Sequence, residues 1–190
     1  MPEQYFEAET FSKIIFAGQM LAGAEFNACT FKHCDFTDTA LSRAVFSDCT
    51  FDTCNLSMVQ LPQVKLENAQ FNHCKILGVN FSSCADFLFS VSFSHCLLDF
   101  CNFMRKKLKD TSFTSCSLKE VNFEECNLTG ADFSGSDLQR ALFRQSILEK
   151  ADFREAYNFS IDPELNKMKK ARFSRMGLSG LLDKHEISIS

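Results

Sequence analysis

The chain is built on a period of five. From Phe6 onward a Phe, Leu or Ile recurs at Phe11, Phe16, Leu21, Phe26 and so on to Phe81, always five residues apart. Two residues before each such centre a small residue is usual, and the residue between them is mostly polar or extended. Ala131-Asp132-Phe133-Ser134-Gly135, Ser136-Asp137-Leu138-Gln139-Arg140 and Ala141-Leu142-Phe143-Arg144-Gln145 follow one another without a break. A helix repeats every 3.6 residues and a strand every 2, so neither yields a strict five. A block of five cannot bury its own centre. It buries one only if the chain coils, block over block, into a stacked array that pairs its backbone groups from coil to coil.

The period slips once. From Phe93 the centres run Leu98, Phe103, Leu108, Phe113 and on to Phe153, but Phe81 and Phe93 are twelve residues apart, so two residues are inserted near residues 82–92. Ala85-Asp86-Phe87 fits the block template, which predicts Phe87 as a centre, with Cys84 and Ser90 as single-residue bulges. Four blocks make a square coil of about twenty residues, and every fourth centre then stacks on one face. That face reads Phe11, Phe31, Phe51, Phe71, Phe93, Phe113, Phe133 and Phe153, an aromatic core ladder that crosses the slip unbroken. The expected fold is all-β, a β-helix of about seven to eight coils over residues 1–155. Its rod would be roughly 36 Å long at the inter-strand spacing. Lys106 breaks the pattern by placing an ammonium at a small position, so either its stem is pushed out to solvent or the coil distorts.

The ten cysteines bear on compartment. Nine sit at small positions and only Cys84 is read as off-register. There is no CxxC pair, and the spacing of Cys29 from Cys34 is the repeat itself. The thiols therefore read as small buried hydrophobes rather than disulfides or zinc ligands, and the expected compartment is the reducing cytoplasm. No apolar run approaches the ~18 residues of a membrane helix, and the start of the chain has no signal-peptide pattern, so no membrane association is expected. A formal net charge of −4 argues against direct binding of nucleic acid.

Catalysis is not expected. His33, His73 and His95 share one outward position, two after the centre on the Phe-ladder face, and His185 lies in the tail. No Ser/His/Asp pattern and no phosphate-cradling glycine loop occurs, and a filled rod offers no interior cleft. No enzyme activity, metal or cofactor is anticipated.

The blocks and the specific motifs Ala131-Asp132-Phe133 and Ala151-Asp152-Phe153 resemble the pentapeptide-repeat family, whose consensus is Ala-(Asp/Asn)-(Leu/Phe)-x-x. The resemblance covers residues 4 to 155 and implies a right-handed quadrilateral β-helix. Size, rod continuity and the Ile161-Asp162-Pro163…Asn166-Lys167 segment are similar to the Qnr, MfpA and McbG types. Those engage bacterial DNA gyrase and topoisomerase IV as DNA-shaped rods and protect them from quinolones or peptide toxins. The resemblance thus implies a topoisomerase partner; the competing class is a scaffold module with another partner.

Residues 156–190 are expected to form a loop, a short helix N-capped by Ser174, and a strand near Glu186–Ile189. Met176, Leu178, Leu181 and Leu182 make the helix stripe, which Gly177 and Gly180 weaken. With Ile187, these residues are candidates for a lid over the rod or for a homodimer contact, which the resemblance places at the C-terminus. Outward apolar residues gather near the slip. Leu77, Leu88, Phe89, Leu97 and Phe100 either tuck against the bulges or form a partner patch. Residues 1–100 carry 11 acidic and 5 basic side chains, and the basic run Arg105-Lys106-Lys107-Leu108-Lys109 follows them.

Overall fold

The computed structural model describes residues 4–187, and the reason for the period shows in any one block. In Cys126-Asn127-Leu128-Thr129-Gly130 all five amides are used. Cys126 N–H donates to the Phe123 carbonyl across the turn, and Asn127 N–H to Lys106 one coil back. Leu128 and Gly130 donate to Ile147 and Glu149 one coil forward. The fifth amide, on Thr129, donates to Asn127 Oδ1 at 3.1 Å. Asp or Asn before the centre is thus a local cap for an amide the coil ladder does not reach. The same bond recurs at Asp35, Asn102, Asn122, Asp132 and Asp137.

Corners turn on the residue two after the centre, which, apart from Ser83 and Glu155, takes a left-handed conformation whether or not it is glycine. Even β-branched Thr53 has φ 55°. Such a conformation costs an L-residue about 1–2 kcal/mol. It is held because the corner amide is bonded to the next coil, as from Thr53 to Asn72 at 2.9 Å.

Four blocks complete a turn and every pairing is parallel. The first face is a sheet of Tyr5–Glu7, Glu25–Asn27, Val45–Ser47 and Lys65–Glu67. The second is six strands deep: Thr10–Ser12, Thr30–Lys32, Thr50–Asp52, Ala69–Asn72, Val91–Ser94 and Phe113–Thr114. The third and fourth faces are joined by single bridges such as Ile15↔Asp35 and Met20↔Ala40. Counted by strands alone the solenoid has about six turns against the seven to eight expected, and isolated bridges carry the same stack on to a ninth level at Arg172. Beyond Thr114 the second face continues only as bridges, Ser112↔Asp132, Asp132↔Asp152 and Asp152↔Arg172. There the residue before the centre changes from Thr, Gln or Ser to Asp, whose carboxylate folds back onto the turn.

Inside, the rings stack. Along the second face the centroids of Phe11, Phe31, Phe51 and Phe71 are 4.7 to 5.1 Å apart. Phe71 meets Phe93 at 5.1 Å across the slip, and the ladder continues through Phe113, Phe133 and Phe153 to Phe173. Rings from adjacent faces meet edge to face, as Phe26 and Phe31 do at 72°. Both arrangements suit the ring quadrupole.

At the slip the structure departs from the expected bulges. Cys84 is buried and keeps the ordinary bonds of a small position: its N–H donates to Phe81, and Ala85 N–H donates to Val64. It is in register, ten residues after Cys74. The insertion follows it, so the next centre position falls on Asp86, a residue that cannot be buried there uncompensated. The chain loops out instead. Phe87 is not a centre but 73% exposed at the tip of a turn closed by Phe89 N–H to Asp86 O, while Phe89 folds in to 8%.

Lys106, in the corresponding small position one coil later, is 2% exposed, and its backbone keeps its bonds to Phe103 and Asn127, while the backward bond that Lys65 and Ala85 make in earlier coils has no counterpart at Lys107. Its Nζ donates to the Cys84 carbonyl and to Asp86 Oδ1, both at 2.6 Å, and lies 4.9 Å from the Phe89 ring centroid. In neighbouring coils the equivalent carbonyls, Ala44 and Val64, accept a backbone amide from the coil above. Here the ammonium fills that role.

The coil also continues past residue 155. Tyr157, Lys167 and Arg172 bridge back to Asp137, Ile147 and Asp152. The tail is two short 3-10 turns, Leu178–Leu181 and Asp183–His185, not the helix expected from the apolar stripe. Gly177 and Gly180 account for this: a Cβ on either would run into Phe159, so the segment must pass too close to the last coil for a regular helix. Ser174 is not the N-cap expected of it: Gly177 holds that position with no side-chain bond to the turn, and Ser174 Oγ only accepts from Gly177 N–H at 3.1 Å ahead of it. Glu186 is left-handed (φ 50°) rather than extended, and the rest of the expected strand beyond Ile187 lies outside the described residues.

Truncating Lys106 should test the staple. Lys106→Ala removes the stem under Phe89 and orphans the Cys84 carbonyl, with an expected loss of about 3 kcal/mol in denaturant unfolding. Lys106→Met keeps the volume and should lose only about 1 kcal/mol. Equal losses in the two variants would show that volume is irrelevant at this position.

Candidate functional site

Chemistry has no foothold inside the rod. The space among Leu41, Phe51, Leu66 and Phe81 amounts to about 10 Å³, at the threshold for a single water. All ten cysteines are buried and unpaired. Burial pushes the thiols of Cys49, Cys84, Cys101 and Cys126 up to about 12. At neutral pH they stay protonated and are poor nucleophiles. His73 and His95 stack at 4.8 Å on one corner, and His95 Nδ1 is 2.9 Å from Ser94 Oγ. His33 is two coils away from His73. Among the described residues no group of three or more His, Cys, Asp or Glu is placed to hold a metal ion.

The site is therefore a surface. The apolar residues expected to form one patch separate into two. Leu88 and Phe87 project from the corner between the first and second faces. Leu97 and Phe100 lie half a coil away, on the third face and at its corner with the fourth. Phe89 belongs to neither patch, because it fills the core beside Lys106. Leu77 and Met58 extend the Phe100 patch: they occupy neighbouring coils of the same corner, and the Met58 thioether lies over Gly78, 2.7 Å from where a Cβ would stand.

One sequence signal for the loop was available. In the unslipped frame Asp86 occupies a centre, and Lys106 a small position one coil on. Opposite charges at adjacent inward sites read as a pair.

The C-terminal end is closed by the tail. Ile161 N–H donates to Gly180 O at 2.8 Å, Lys184 bridges Asp162 at 2.9 Å and Glu164 at 2.6 Å, and Leu181 packs on the core. Met176 is 91% exposed, and Leu178, Leu182 and Ile187 also face outward. An open groove of about 640 Å³ runs between Arg140, Tyr157 and Met176. On the second face Asp152 pairs with Arg154 of its own coil (2.7 Å) and with Arg172 of the next (3.1 Å). The Arg154 guanidinium, and after it Arg172, hold its carboxyl below the usual 3.8.

A sequence model described as "Pentapeptide repeat region" matches residues 24–86 and 79–156, more than half of the chain. The chain belongs to the pentapeptide-repeat family. No curated protein matches it. Among solved structures, a trypsin-treated variant of QnrB1, described as a plasmid-mediated fluoroquinolone resistance protein, aligns with TM-score 0.68 at 22% identity. The alignment covers 98% of this chain and 90% of that one. HetL, a pentapeptide repeat protein involved in heterocyst differentiation regulation in the cyanobacterium Nostoc, aligns with TM-score 0.63 at 15% identity, covering 90% and 87%. At these identities the likeness is one of fold. No described helix is long and apolar enough to cross a membrane.

Two outcomes follow for this family member. Iodoacetamide should label essentially no cysteine in the native protein and all ten after denaturation; fast labelling of any one in the native state would contradict the burial. A carboxylate whose acidity is raised by folding stabilises the fold above its unfolded value and loses that contribution as pH falls through the folded one. The stability gap between wild type and Asp152→Asn should therefore be full at pH 7 and close below about pH 4. A gap unchanged down to pH 2.5 would remove the ion pairs from the account.

Proposed function

We propose that this protein is a non-enzymatic binding protein that engages a bacterial type II topoisomerase, DNA gyrase or topoisomerase IV, as a DNA-shaped rod. It would thereby confer quinolone resistance or immunity to a gyrase toxin in the cytoplasm. The observation that carries this reading is the end-to-end match of a filled rod to a fluoroquinolone resistance protein. The ten buried, unpaired thiols suit a reducing compartment. If self-association ran through the C-terminus, the outward Met176, Leu178, Leu182 and Ile187 would form the contact, an arrangement exclusive of a dimer through the side of the rod.

Charge limits how the mimicry works. Duplex DNA carries one charge per ~1.7 Å, so a rod of roughly 36 Å would need about 21. Here the net negative charge lies in residues 1–100, which have 11 acids against 5 bases, while the 9 acids of residues 101–155 are balanced by 9 bases. Shape, with an acidic first half, is the property offered to the partner.

A second reading, a scaffold module for another partner, is favoured by the exposed Leu97–Phe100 patch and by the likeness to HetL. A supercoiling assay separates the two. Micromolar protein should inhibit gyrase or rescue it from a quinolone or microcin, and Leu97→Asp with Phe100→Asp should leave that effect intact. No effect on gyrase under either condition would defeat the topoisomerase reading.

A further inference from the structure

The first face is bipolar, and its halves are arranged to fit a second copy of itself. Its rungs are centred on Phe6, Phe26, Phe46, Leu66, the slip loop, Leu108, Leu128, Leu148 and Met168, so the loop carrying Phe87 and Leu88 stands in the middle. On the N-terminal side of the loop the outward charges are Glu7, Glu25, Asp48 and Glu67, with Lys65 as the only base. On the other side are Lys107, Lys109, Lys150, Lys167, Lys169 and Lys170, with Asp110 and Glu149 as the only acids. Of those six lysines only Lys109 makes an ion pair with a described residue, a loose 3.8 Å contact with Asp110. Five exposed ammonium groups thus have no ion-pair partner among the described residues.

We propose that this face is an isologous homodimer interface, with two rods antiparallel and a two-fold axis crossing them at the Phe87–Leu88 loop. The symmetry fixes the pairing. An axis lying in the interface, perpendicular to the rods, exchanges the first rung with the last and keeps each column facing its own copy. Glu7 then meets Lys169, and Glu67 meets Lys109. Glu25 and Asp48 lie one rung, about 4.8 Å, from Lys167 and Lys150. Like charges also meet, Lys65 with Lys107 directly and Glu7 with Glu149 and Asp48 with Asp110 one rung apart, so the complementarity rests on the net charge of the two halves, −3 (four acids, one base) against +4 (six bases, two acids).

At the centre, Phe87 and Leu88 of both copies come together on the axis, leaving an apolar core with a charged rim. The rest of the structure gives these two residues nothing to pack on. A strip about 38 Å long and about 15 Å wide covers roughly 600 Å² per copy, the lower end of a specific interface. Rim charges of this kind set orientation and salt dependence more than affinity. This face is separate from the C-terminal tail and does not depend on the identity of any other partner.

Sedimentation equilibrium of the full chain tests it. At low salt the mass should be twice 21.6 kDa and should fall toward the monomer as salt rises. Phe87→Asp with Leu88→Asp should give a monomer with an unchanged circular dichroism spectrum. Lys169→Glu should weaken the dimer about tenfold, and adding Glu7→Lys to it should restore the dimer. A zero-length cross-linker should join Glu7 to Lys169 between chains. A wild-type monomer at 100 µM overturns the proposal. So does a dimer that ignores the loop variant and dissociates on Leu182→Asp, which would place association at the tail. A charge swap that fails to restore the dimer overturns the pairing.

Discussion

The rod depends on one constraint: every backbone amide of a five-residue block must find an acceptor, and only one geometry supplies all five. Amides bond one coil back, one coil forward and across the turn, and an Asp or Asn side chain takes the remaining one. The cost of left-handed corners at residues such as Thr53 and Phe100 is carried by that ladder. Period, square section and small inward positions follow from the same accounting. So does the use of cysteine as a compact filler, whose sulfur sits against carbonyls, as Cys49 Sγ does 3.4 Å from Phe26 O.

The slip shows what happens when the accounting fails locally. Two extra residues place Asp86 where a centre belongs, and a rung is lost on the first face. The second face, the aromatic ladder, passes the same level undisturbed because Phe93 resumes the stack on Phe71. The damage is therefore confined to one corner. There Lys106 supplies the missing donor, Phe89 fills the missing volume, and Phe87 and Leu88 are turned outward. A single insertion thus produces a buried ammonium and an exposed apolar tip together, and neither would exist in a regular coil.

The features that distinguish this rod lie on its surface. The interior is filled and its thiols are buried, while the exterior carries a bipolar first face, an apolar corner at Phe100 and a tail with outward Met176. A rigid rod presents these at fixed spacings, which suits recognition by shape and makes self-recognition across a two-fold axis a matter of simple register. The full-length likeness to QnrB1 and the comparable likeness to HetL agree on the scaffold, and these two relatives differ in role.

The sequence alone determined the coil. A strict five in Phe and Leu, with a ladder that survives the slip, leaves one architecture, because a local periodic pattern dictates which side chains face inward. It also foretold the buried thiols and the outward Leu97 and Phe100. What it could not determine was the outcome wherever the period is broken. Whether Phe87 or Phe89 goes inside, whether Lys106 escapes to solvent, and whether the tail can be helical were decided by the tertiary structure. Each depends on groups about twenty residues away meeting in space: the Cys84 carbonyl above Lys106, and the Phe159 ring beneath Gly177 and Gly180.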